Sequence, residues 1–495
     1  MDDIIEIESV DKNGVPITLI KNHILKEDPT SLNFGYSFFG SVDEIDPSNI
    51  QSIYQSNIIE NIYSRLIEYD NAGQIICSLC SSFYVEGAII RFNFENSNRT
   101  ITGKIINAHD AEKSLKRIAQ SQTNTHGSLS YYLDRHSSSI KADANQLILR
   151  VAHPHWVPFV LSLLTSMDFS IIPSDSLNKD GKIIDYSQTS GLYYIDSFLK
   201  DGHLTLKANI NHSRYQPQII DEIRFIPTKS GEASRAFAQG TIDMVDPTYY
   251  AYEEDVEKIL KAIPDANLHQ TLQIGLTSLV FSQKAMQNST HEERFIAANL
   301  IKRWFLEKTP KIFGAQETEQ YFQSFGQGFL NDEQKTSLRD NYENNINNIS
   351  SYQFVLGVTE KYQKWLHNYR FPSFIKIKFF NSYPGFLPES ERPDIYLMTA
   401  DSSFDEDISA LSYLFSQGIF SFKKNEGAKW IQDYMDIPER AERIKKLQSL
   451  HYEMLLSVKV FPLISRPYIA ISRNRFKLDF SKIYAGSPLW KIWTH

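Results

Sequence analysis

The sequence predicts an α/β protein, because segments with the apolar period of a strand alternate along the chain with segments that have the period of a helix. Its 495 residues are enough for two or three domains. Hydrophobic residues make up 42% and charged residues 22% of the chain, which is the composition of a globular protein with sizeable cores.

Three segments show the alternation of apolar and polar residues that is typical of a half-buried strand. The apolar positions are Ile90, Phe92 and Phe94 in the first, Leu204, Leu206, Ala208 and Ile210 in the second, and Ile375, Ile377 and Phe379 in the third. We predict a strand at each place, with these side chains facing a core.

Two segments have apolar residues at helical spacing. The first stripe consists of Ile58, Ile59, Ile62, Tyr63, Leu66 and Ile67. Near the C-terminus, Asp436 and Pro438 mark the start of a helix, and Ile444, Leu447, His451 and Leu455 would line its buried side. We interpret both stripes as core packing.

Charge and hydropathy exclude two classes of partner. The net charge is −8, from 51 basic and 59 acidic residues, and no basic block stands out, so a nucleic acid is not expected to bind. No run of about 18 apolar residues is present, so no membrane-spanning helix is expected.

The first residues lack the basic start and apolar stretch of a signal peptide. The chain is then either a mature or recombinant form or a cytoplasmic protein, and both remain open.

The two cysteines, Cys77 and Cys80, have the spacing of a redox pair. No thioredoxin-like strand and helix follow them, so we favour the interpretation that they are two small apolar residues before a strand. Two thiols alone do not make a structural zinc site.

No constellation of residues predicts an enzyme, a metal site or a cofactor site. His153 and His155 could offer two imidazoles to a metal, but Pro154 separates them and no third ligand is near in sequence, so we favour a structural or surface role. The acidic segment 401–407 lacks the central glycine and the terminal glutamate of an EF-hand. The sequence also lacks the Gly-x-Ser-x-Gly nucleophile motif, a glycine-rich phosphate loop and the His-Glu-x-x-His zinc-protease motif.

Several segments, in the same order along the chain, resemble one family of transport proteins. They are 44–66, 68–79, 90–94, 103–118, 189–193, 218–227, 240–245, 293–298 and 393–401. The segment 44–66 is similar to the family's opening pattern with Leu-Asp-Pro, and 103–118 is similar to its pattern Thr-Ala-x-Asp-Val-x-x-Ser-Leu-x-Arg. Their collinearity resembles the oligopeptide/dipeptide/nickel class (family 5) of solute-binding proteins of ABC transporters.

Some positions depart from the family pattern. Asn209 to Ser213 replace the usual Asn-Pro-x-Tyr-Trp, and Met398 stands where a tryptophan is common. No proline follows Asp401, and the region 301–393 is shorter than usual. These departures concern the identity of the ligand more than the fold.

The resemblance implies a two-lobed periplasmic-binding-protein-like fold (class II) with an extra subdomain in lobe I. Lobe I would comprise 1–270 with 460–495, including the subdomain near 50–160, and lobe II would comprise 271–459. The lobes would be joined near 271–275 and 458–462. Such a protein would be a monomer on the periplasmic or extracellular face, and it would deliver its ligand to an ABC-transporter permease.

The resemblance also assigns binding residues. Asp401 matches the position that holds a peptide amine, although a turn aspartate that caps the next helix is the alternative. Gln51, Ser52 and Ile53 match positions whose backbone touches the ligand, and their alternative is an ordinary loop before a helix. Leu397, Met398 and Thr399 would contact the ligand from lobe II. No catalytic residue, metal or cofactor is expected.

Two other functions stay open beside peptide capture. The same fold could bind a nickel chelate, an oligosaccharide or a peptidoglycan fragment. An intracellular regulator could also reuse the fold, although residues 1–31 are too short for a helix-turn-helix and show no basic recognition helix.

Overall fold

The structure of the protein is a computed structural model. It describes residues 5–10, 16–21, 30–37, 45–50, 53–70, 73–120, 129–134, 138–199, 201–228, 232–246, 252–323, 326–343, 350–380, 389–400, 424–478 and 489–494. The statements below apply to these residues.

Strands and helices alternate along the described chain, as the sequence predicts. The strands are β1 Ile5–Val10, β2 Pro16–Lys21, β3 Ser31–Ser37, β4 Ile67–Tyr69, β5 Ile75–Cys77, β6 Ser82–Glu86, β7 Ile89–Asn93, β8 Ile140–Asp143, β9 Gln146–Arg150, β10 Tyr193–Phe198, β11 Leu204–Ala208, β12 Glu222–Thr228, β13 Met244–Val245, β14 Ala266–Gln270, β15 Gly275–Phe281, β16 Gln316–Glu317, β17 Phe354–Thr359, β18 Ile375–Phe380, β19 Ile395–Ala400, β20 Val460–Arg466, β21 Ile469–Arg473, β22 Phe476–Leu478 and β23 Ile492–Thr494. The α-helices are α1 Ile53–Ile62, α2 Ala108–Gln120, α3 Val157–Leu163, α4 Ala233–Ala238, α5 Glu253–Ala262, α6 Gln283–Asn288, α7 His291–Lys308, α8 Asp332–Glu343, α9 Gln363–Leu366, α10 Lys424–Met435 and α11 Arg440–Leu456.

Two mixed sheets form the frame of the molecule. The seven-stranded sheet has the order β10-β11-β12-β3-β13-β21-β14, and the six-stranded sheet has the order β16-β20-β15-β19-β17-β18. Among the described strands, the chain passes from the first sheet to the second at 271–274 and returns at 467–468. These two crossings give the two-lobed α/β fold that the resemblance implies.

The part of the chain between α1 and β10 carries a small unit of its own, which we call the inserted unit (residues 66–171). Its antiparallel sheet has the order β6-β7-β9-β8, and α2 packs on β8 and β9. Ile90, Phe92, Leu147 and Leu149 are fully buried in its core. The inserted unit is thus a separate layered structure attached to the seven-stranded sheet.

The predicted strands are confirmed at their centres and differ at their ends. Strand β11 buries Leu204, Leu206 and Ala208, but it ends there, and Ile210 is exposed. In β18, Ile375 is buried whereas Phe379 is exposed. The expectation that Ile210 and Phe379 face a core is therefore wrong.

The first predicted helix is shorter than its apolar stripe. Helix α1 ends at Ile62, whose carbonyl oxygen accepts a hydrogen bond of 2.8 Å from the backbone N–H of Gly191. Leu66 and Ile67 are buried as expected, but they follow the helix, and Ile67 begins β4. A Cβ atom on Gly191 would lie 2.6 Å from the carbonyl carbon of Ile62, so only glycine allows this approach.

The cysteines differ from the favoured interpretation. Cys77 and Cys80 form a disulfide at the end of β5, so they are not two separate apolar side chains. The backbone N–H groups of Ser78 and Leu79, which lie between them, donate to the carbonyl oxygens of Leu66 and Arg65 at 2.9 and 3.0 Å. Together with the disulfide, these two backbone hydrogen bonds fix the turn between Cys77 and Cys80.

Removing the disulfide is expected to lower the free energy of unfolding modestly, because the bond closes a loop of only four residues. The loop-entropy relation gives about 2 kcal/mol for so short a loop. The double variant Cys77→Ser, Cys80→Ser should show this loss in a urea titration, and a reductant should produce the same loss in the unmodified protein only. An unchanged midpoint in the variant would contradict the expectation.

Candidate ligand-binding site

The structure describes four of the seven predicted binding residues. Asp401, Gln51 and Ser52 lie outside the described residues. Ile53 is the first residue of α1, and Leu397, Met398 and Thr399 are consecutive residues of β19. The predicted contacts from lobe II thus come from the strand that leads directly to Asp401.

Strand β19 lies inside the six-stranded sheet between an antiparallel and a parallel neighbour. It pairs with β15 along its whole length, from Ile395 opposite Phe281 to Ala400 opposite Leu276. Its ladder with the parallel strand β17 spans only Ile395 and Tyr396. The three predicted residues therefore belong to the part of β19 that extends beyond the ladder with β17.

The side chains of these residues point to opposite faces of the sheet. Leu397 packs against the core that β15 and α7 share, and the hydroxyl of Thr399 lies 3.3 Å from that of Thr277. Met398 is 6% exposed and belongs to an apolar cluster on the other face. Contacts from Leu397 and Thr399 to a ligand would accordingly come from backbone groups.

A buried aspartate fixes the position of β19. The carboxylate of Asp394 accepts hydrogen bonds from the backbone N–H of Val355 at 2.9 Å and from the Tyr352 hydroxyl at 3.1 Å, and Lys284 Nζ lies 3.2 Å away. Burial, followed by the nearby charge of Asp394, raises the pKa of Tyr352 to about 12, so the hydroxyl remains a donor. The family motif at 393–394 is thus an anchor between β17 and β19.

The two crossings are hydrogen-bonded to each other. The backbone N–H of Thr271 donates to the carbonyl oxygen of Tyr468 at 3.0 Å, and Tyr468 N–H donates to Thr271 Oγ1 at 2.8 Å. The buried side chain of Gln323 donates to the carbonyl oxygen of Ile274 at 3.2 Å. These bonds tie the two crossings together at the place where the chain passes between the sheets.

On the side of the seven-stranded sheet, a buried amide holds helix α1. Asn57 Nδ2 donates to Asp246 Oδ2 at 3.0 Å, and Asn61 Nδ2 donates to the backbone oxygen of Asn57 at 2.7 Å. Asp246 follows directly after β13. Sequence reasoning missed this pair, because Asn57 and Asp246 are 189 positions apart and only the folded chain brings them together.

The two histidines considered as metal ligands lie side by side. The rings of His153 and His155 stack with centroids 5.4 Å apart. Within the described parts of the chain, no group of three or more His, Cys, Asp or Glu residues is arranged to hold a metal ion. No described helix is both long enough and apolar enough to cross a membrane.

Comparisons with known proteins agree with this architecture. Residues 102–295 match the family model described as "Bacterial extracellular solute-binding proteins, family 5 Middle". A search of curated protein sequences found no match.

Solved structures show the same fold over 94% of this chain. The murein tripeptide binding protein MppA of Escherichia coli is 13% identical, with a TM-score of 0.74 and 99% of its own chain covered. OppA of Haemophilus influenzae, in complex with RPPGFSPFR, is 13% identical, with a TM-score of 0.71 and 99% covered. NikA of Staphylococcus aureus, in complex with Ni(L-His)2, is 12% identical, with a TM-score of 0.70 and 100% covered.

A second structure of MppA, its unliganded open form, has a TM-score of only 0.59 over the same 94% of this chain. MppA thus fits this chain less well in that open form than in the other structure. The family match at 102–295 confirms the resemblance of this chain to the family 5 class of bacterial extracellular solute-binding proteins, and the solved structures share its two-lobed fold.

Proposed function

We propose that this protein captures a peptide-like ligand between its two lobes, performs no chemistry on it and delivers it to an ABC importer. The observation that carries the proposal is the position of β19, whose C-terminal end pairs with the start of β15, directly after the crossing at 271–274. This strand holds Leu397, Met398 and Thr399 and leads directly to Asp401. Peptide recognition of this kind uses backbone groups for affinity and pocket size for specificity.

The ligand would bind as an added extended segment, with its amino group against Asp401. Closure of the lobes would remove water from this ion pair and strengthen it, because a buried carboxylate is stable only when it is paired. The backbone of Gln51, Ser52 and Ile53 would contact the ligand from the opposite lobe. Two of the similar structures are a murein tripeptide binding protein and OppA in complex with the peptide RPPGFSPFR, which supports a peptide as the first candidate.

We also propose a location on the periplasmic or extracellular face. The disulfide between Cys77 and Cys80 supports it, because disulfides persist in oxidising compartments and are rare in the cytosol.

We propose that the boundary at which lobe I passes into lobe II stays near residue 270. The strand Val460–Arg466 lies in the six-stranded sheet, which favours extending lobe II from 459 to 466.

Native mass spectrometry of the purified protein, followed by denaturing analysis of what co-purifies, tests the proposal. A heterogeneous set of short peptides is the expected result. A nickel chelate or a single non-peptide mass would keep the fold and replace the ligand class. If the protein emerges empty, a thermal-shift screen against peptide pools decides, since a ligand that binds only the folded state raises its stability.

The variant Asp401→Asn should bind peptides with a free amino terminus about ten- to a hundredfold more weakly, because a charge-assisted hydrogen bond is lost. Isothermal titration with a peptide found in the purified protein measures this loss. An N-acetylated form of the same peptide should bind both proteins equally. The control Asp433→Asn removes a carboxylate that is exposed and paired with Lys429, and it should not change affinity. Equal affinities of the Asp401 variant and the unmodified protein would overturn the assignment.

A further inference from the structure

A contact in addition to the two crossings joins the inserted unit to the half of the molecule that contains the six-stranded sheet. The indole N–H of Trp156 donates to the carbonyl oxygen of Met435 at 2.7 Å, and both groups are buried. Trp156 belongs to the inserted unit, whereas Met435 is the last residue of α10, which packs on α11 beside the six-stranded sheet. The two residues are 279 positions apart in the chain.

The hydrogen bond from Trp156 satisfies a backbone carbonyl group at the end of α10 that has no partner within the helix. The last carbonyl oxygens of a helix lack intrahelical partners. At the end of α10, the N–H of Asp436 bonds to Gln432 and the N–H of Ile437 bonds to Tyr434. The Met435 oxygen is instead capped by Trp156, which makes this cap a bond between the two halves of the protein.

The hydrogen bond lies within a continuous apolar cluster that crosses the same boundary. From the inserted unit the cluster includes Tyr132, Trp156, Val157, Phe159 and Val160, and from the other half it includes Val280, Tyr396, Met398, Tyr434, Met435, Leu447, Leu450 and Met454. Met398 is one of the predicted binding residues. Separating the two halves at this place would expose part of this apolar surface to water.

The inserted unit is itself fixed to the seven-stranded half. The guanidinium of Arg117 in α2 forms an ion pair with Asp46, which lies just before the short helix Pro47–Asn49. A rotation of the halves about 271–274 and 467–468 would therefore carry Trp156 away from Met435. In the chain, α10 is also the first described element after residues 401–423, which include Asp401.

We propose that the Trp156–Met435 contact, with its apolar surroundings, is a clasp that holds the two lobes together in the absence of ligand. Closure in this protein is then governed by this contact in addition to the ligand. The clasp lowers the population of the open form, so a ligand meets a partly closed protein and less of its binding energy is spent on closure.

A distance measurement on ligand-free protein tests the clasp. The described cysteines are both in the disulfide, so dyes can be attached through Lys141→Cys in β8 and Lys445→Cys in α11, which replace exposed side chains. The ligand is removed by unfolding in denaturant and refolding. Single-molecule energy transfer then gives the ratio of the short-distance to the long-distance population.

The unmodified protein is expected to be mainly in the short-distance state. Trp156→Phe keeps an aromatic ring but removes the donor, and it should shift the ratio toward the long-distance state about fivefold, the effect of one lost hydrogen bond. Trp156→Ala should shift it further. Trp493→Phe makes the same change at a partly exposed tryptophan in the C-terminal hairpin and should leave the ratio unchanged.

Two results would overturn the clasp. One is a long-distance state that dominates in the unmodified protein without ligand. The other is an unchanged ratio in both Trp156 variants while circular dichroism shows that they are folded. Because the measurement uses no ligand, it succeeds or fails independently of whether peptides are the cargo.

Discussion

Replacing Arg117 with methionine is expected to lower the free energy of unfolding by about 3–5 kcal/mol, because it leaves a buried carboxylate without its partner. Asp46 is 4% exposed, and Arg117 binds it through both terminal nitrogens while Nε donates to the Gly181 oxygen at 2.7 Å. Burial raises the pKa of Asp46, but the hydrogen bonds and charge of Arg117 outweigh it and lower the pKa. Urea titrations at pH 7 measure the loss.

The adjacent residue in α2 provides the matched control for this prediction. Lys116→Met removes the same charge one position away, but Lys116 is half-exposed and pairs with Glu112 on the helix surface, so a loss below about 1 kcal/mol is expected. Adding Asp46→Asn to Arg117→Met should recover part of the stability, since no buried charge then remains. Equal losses for Arg117→Met and Lys116→Met would show that the ion pair is not a structural link.

The family motifs in the sequence prove to be anchors of the fold at several positions. Glu293 in the segment 293–298 completes a capping box with Thr290 at the start of α7, and its other oxygen accepts from the backbone N–H groups of Ser351 and Tyr352 at 2.8 and 3.0 Å. Burial would raise the pKa of Glu293, but these hydrogen bonds outweigh it and lower the pKa to about 2. Asp46 and Asp394 likewise link separate segments.

Local periodicity explains which parts of the fold could be predicted from the sequence. The alternation at 204–208 records which residues of one strand face a core, and it is confirmed. The stripe at 58–67 does not show where α1 ends, because the end depends on Gly191, which lies more than a hundred residues away. Pairings such as Asp46 with Arg117 or Trp156 with Met435 leave no periodic trace, because each joins elements that only the folded chain brings together.

The candidate site also has some features that could be predicted from the sequence and others that arise only in the folded chain. The positions of Leu397, Met398 and Thr399 came from the resemblance, and the structure adds that they extend beyond the ladder with β17. The buried pair of Asn57 and Asp246 could not be paired from sequence, since each residue alone is an ordinary polar residue beside a helix or strand. The resemblance therefore supplied the expected ligand contacts, whereas packing determines what holds these residues in place.

Acid is expected to destabilise this protein at a pH well above the range in which carboxylates titrate, because two histidines are buried in neutral form. Each ring has one donating and one accepting nitrogen. His451 Nε2 accepts from the backbone N–H of Tyr321 at 3.0 Å and Nδ1 lies 2.8 Å from the Gly328 oxygen, while His212 Nδ1 accepts from the N–H of Arg214 at 3.1 Å. A second proton on either ring would replace its accepting nitrogen by a donor.

Burial lowers the pKa of His451 to about 4, and burial together with the charge of Arg214 lowers the pKa of His212 to about 4. An unfolded histidine takes up its proton near pH 6.5. The stability from each neutral ring is therefore complete above about pH 6.5, and it is lost progressively as the pH falls toward 4. Between pH 7 and pH 5 each histidine should contribute a loss of about 2 kcal/mol, or about 4 kcal/mol together.

Urea titrations at pH 7 and pH 5 measure this loss, and His451→Gln separates the two contributions. Glutamine can accept from one neighbour and donate to the other without titrating, so the variant should lose about 2 kcal/mol less than the unmodified protein over this range. His367→Gln makes the same change at an exposed side chain and should keep the full loss. Carboxylates such as Glu293 act below about pH 4.5, outside this window. An identical pH dependence in His451→Gln and the unmodified protein would mean that the loss arises elsewhere, because the only group removed is the ring that must remain neutral to accept the Tyr321 N–H.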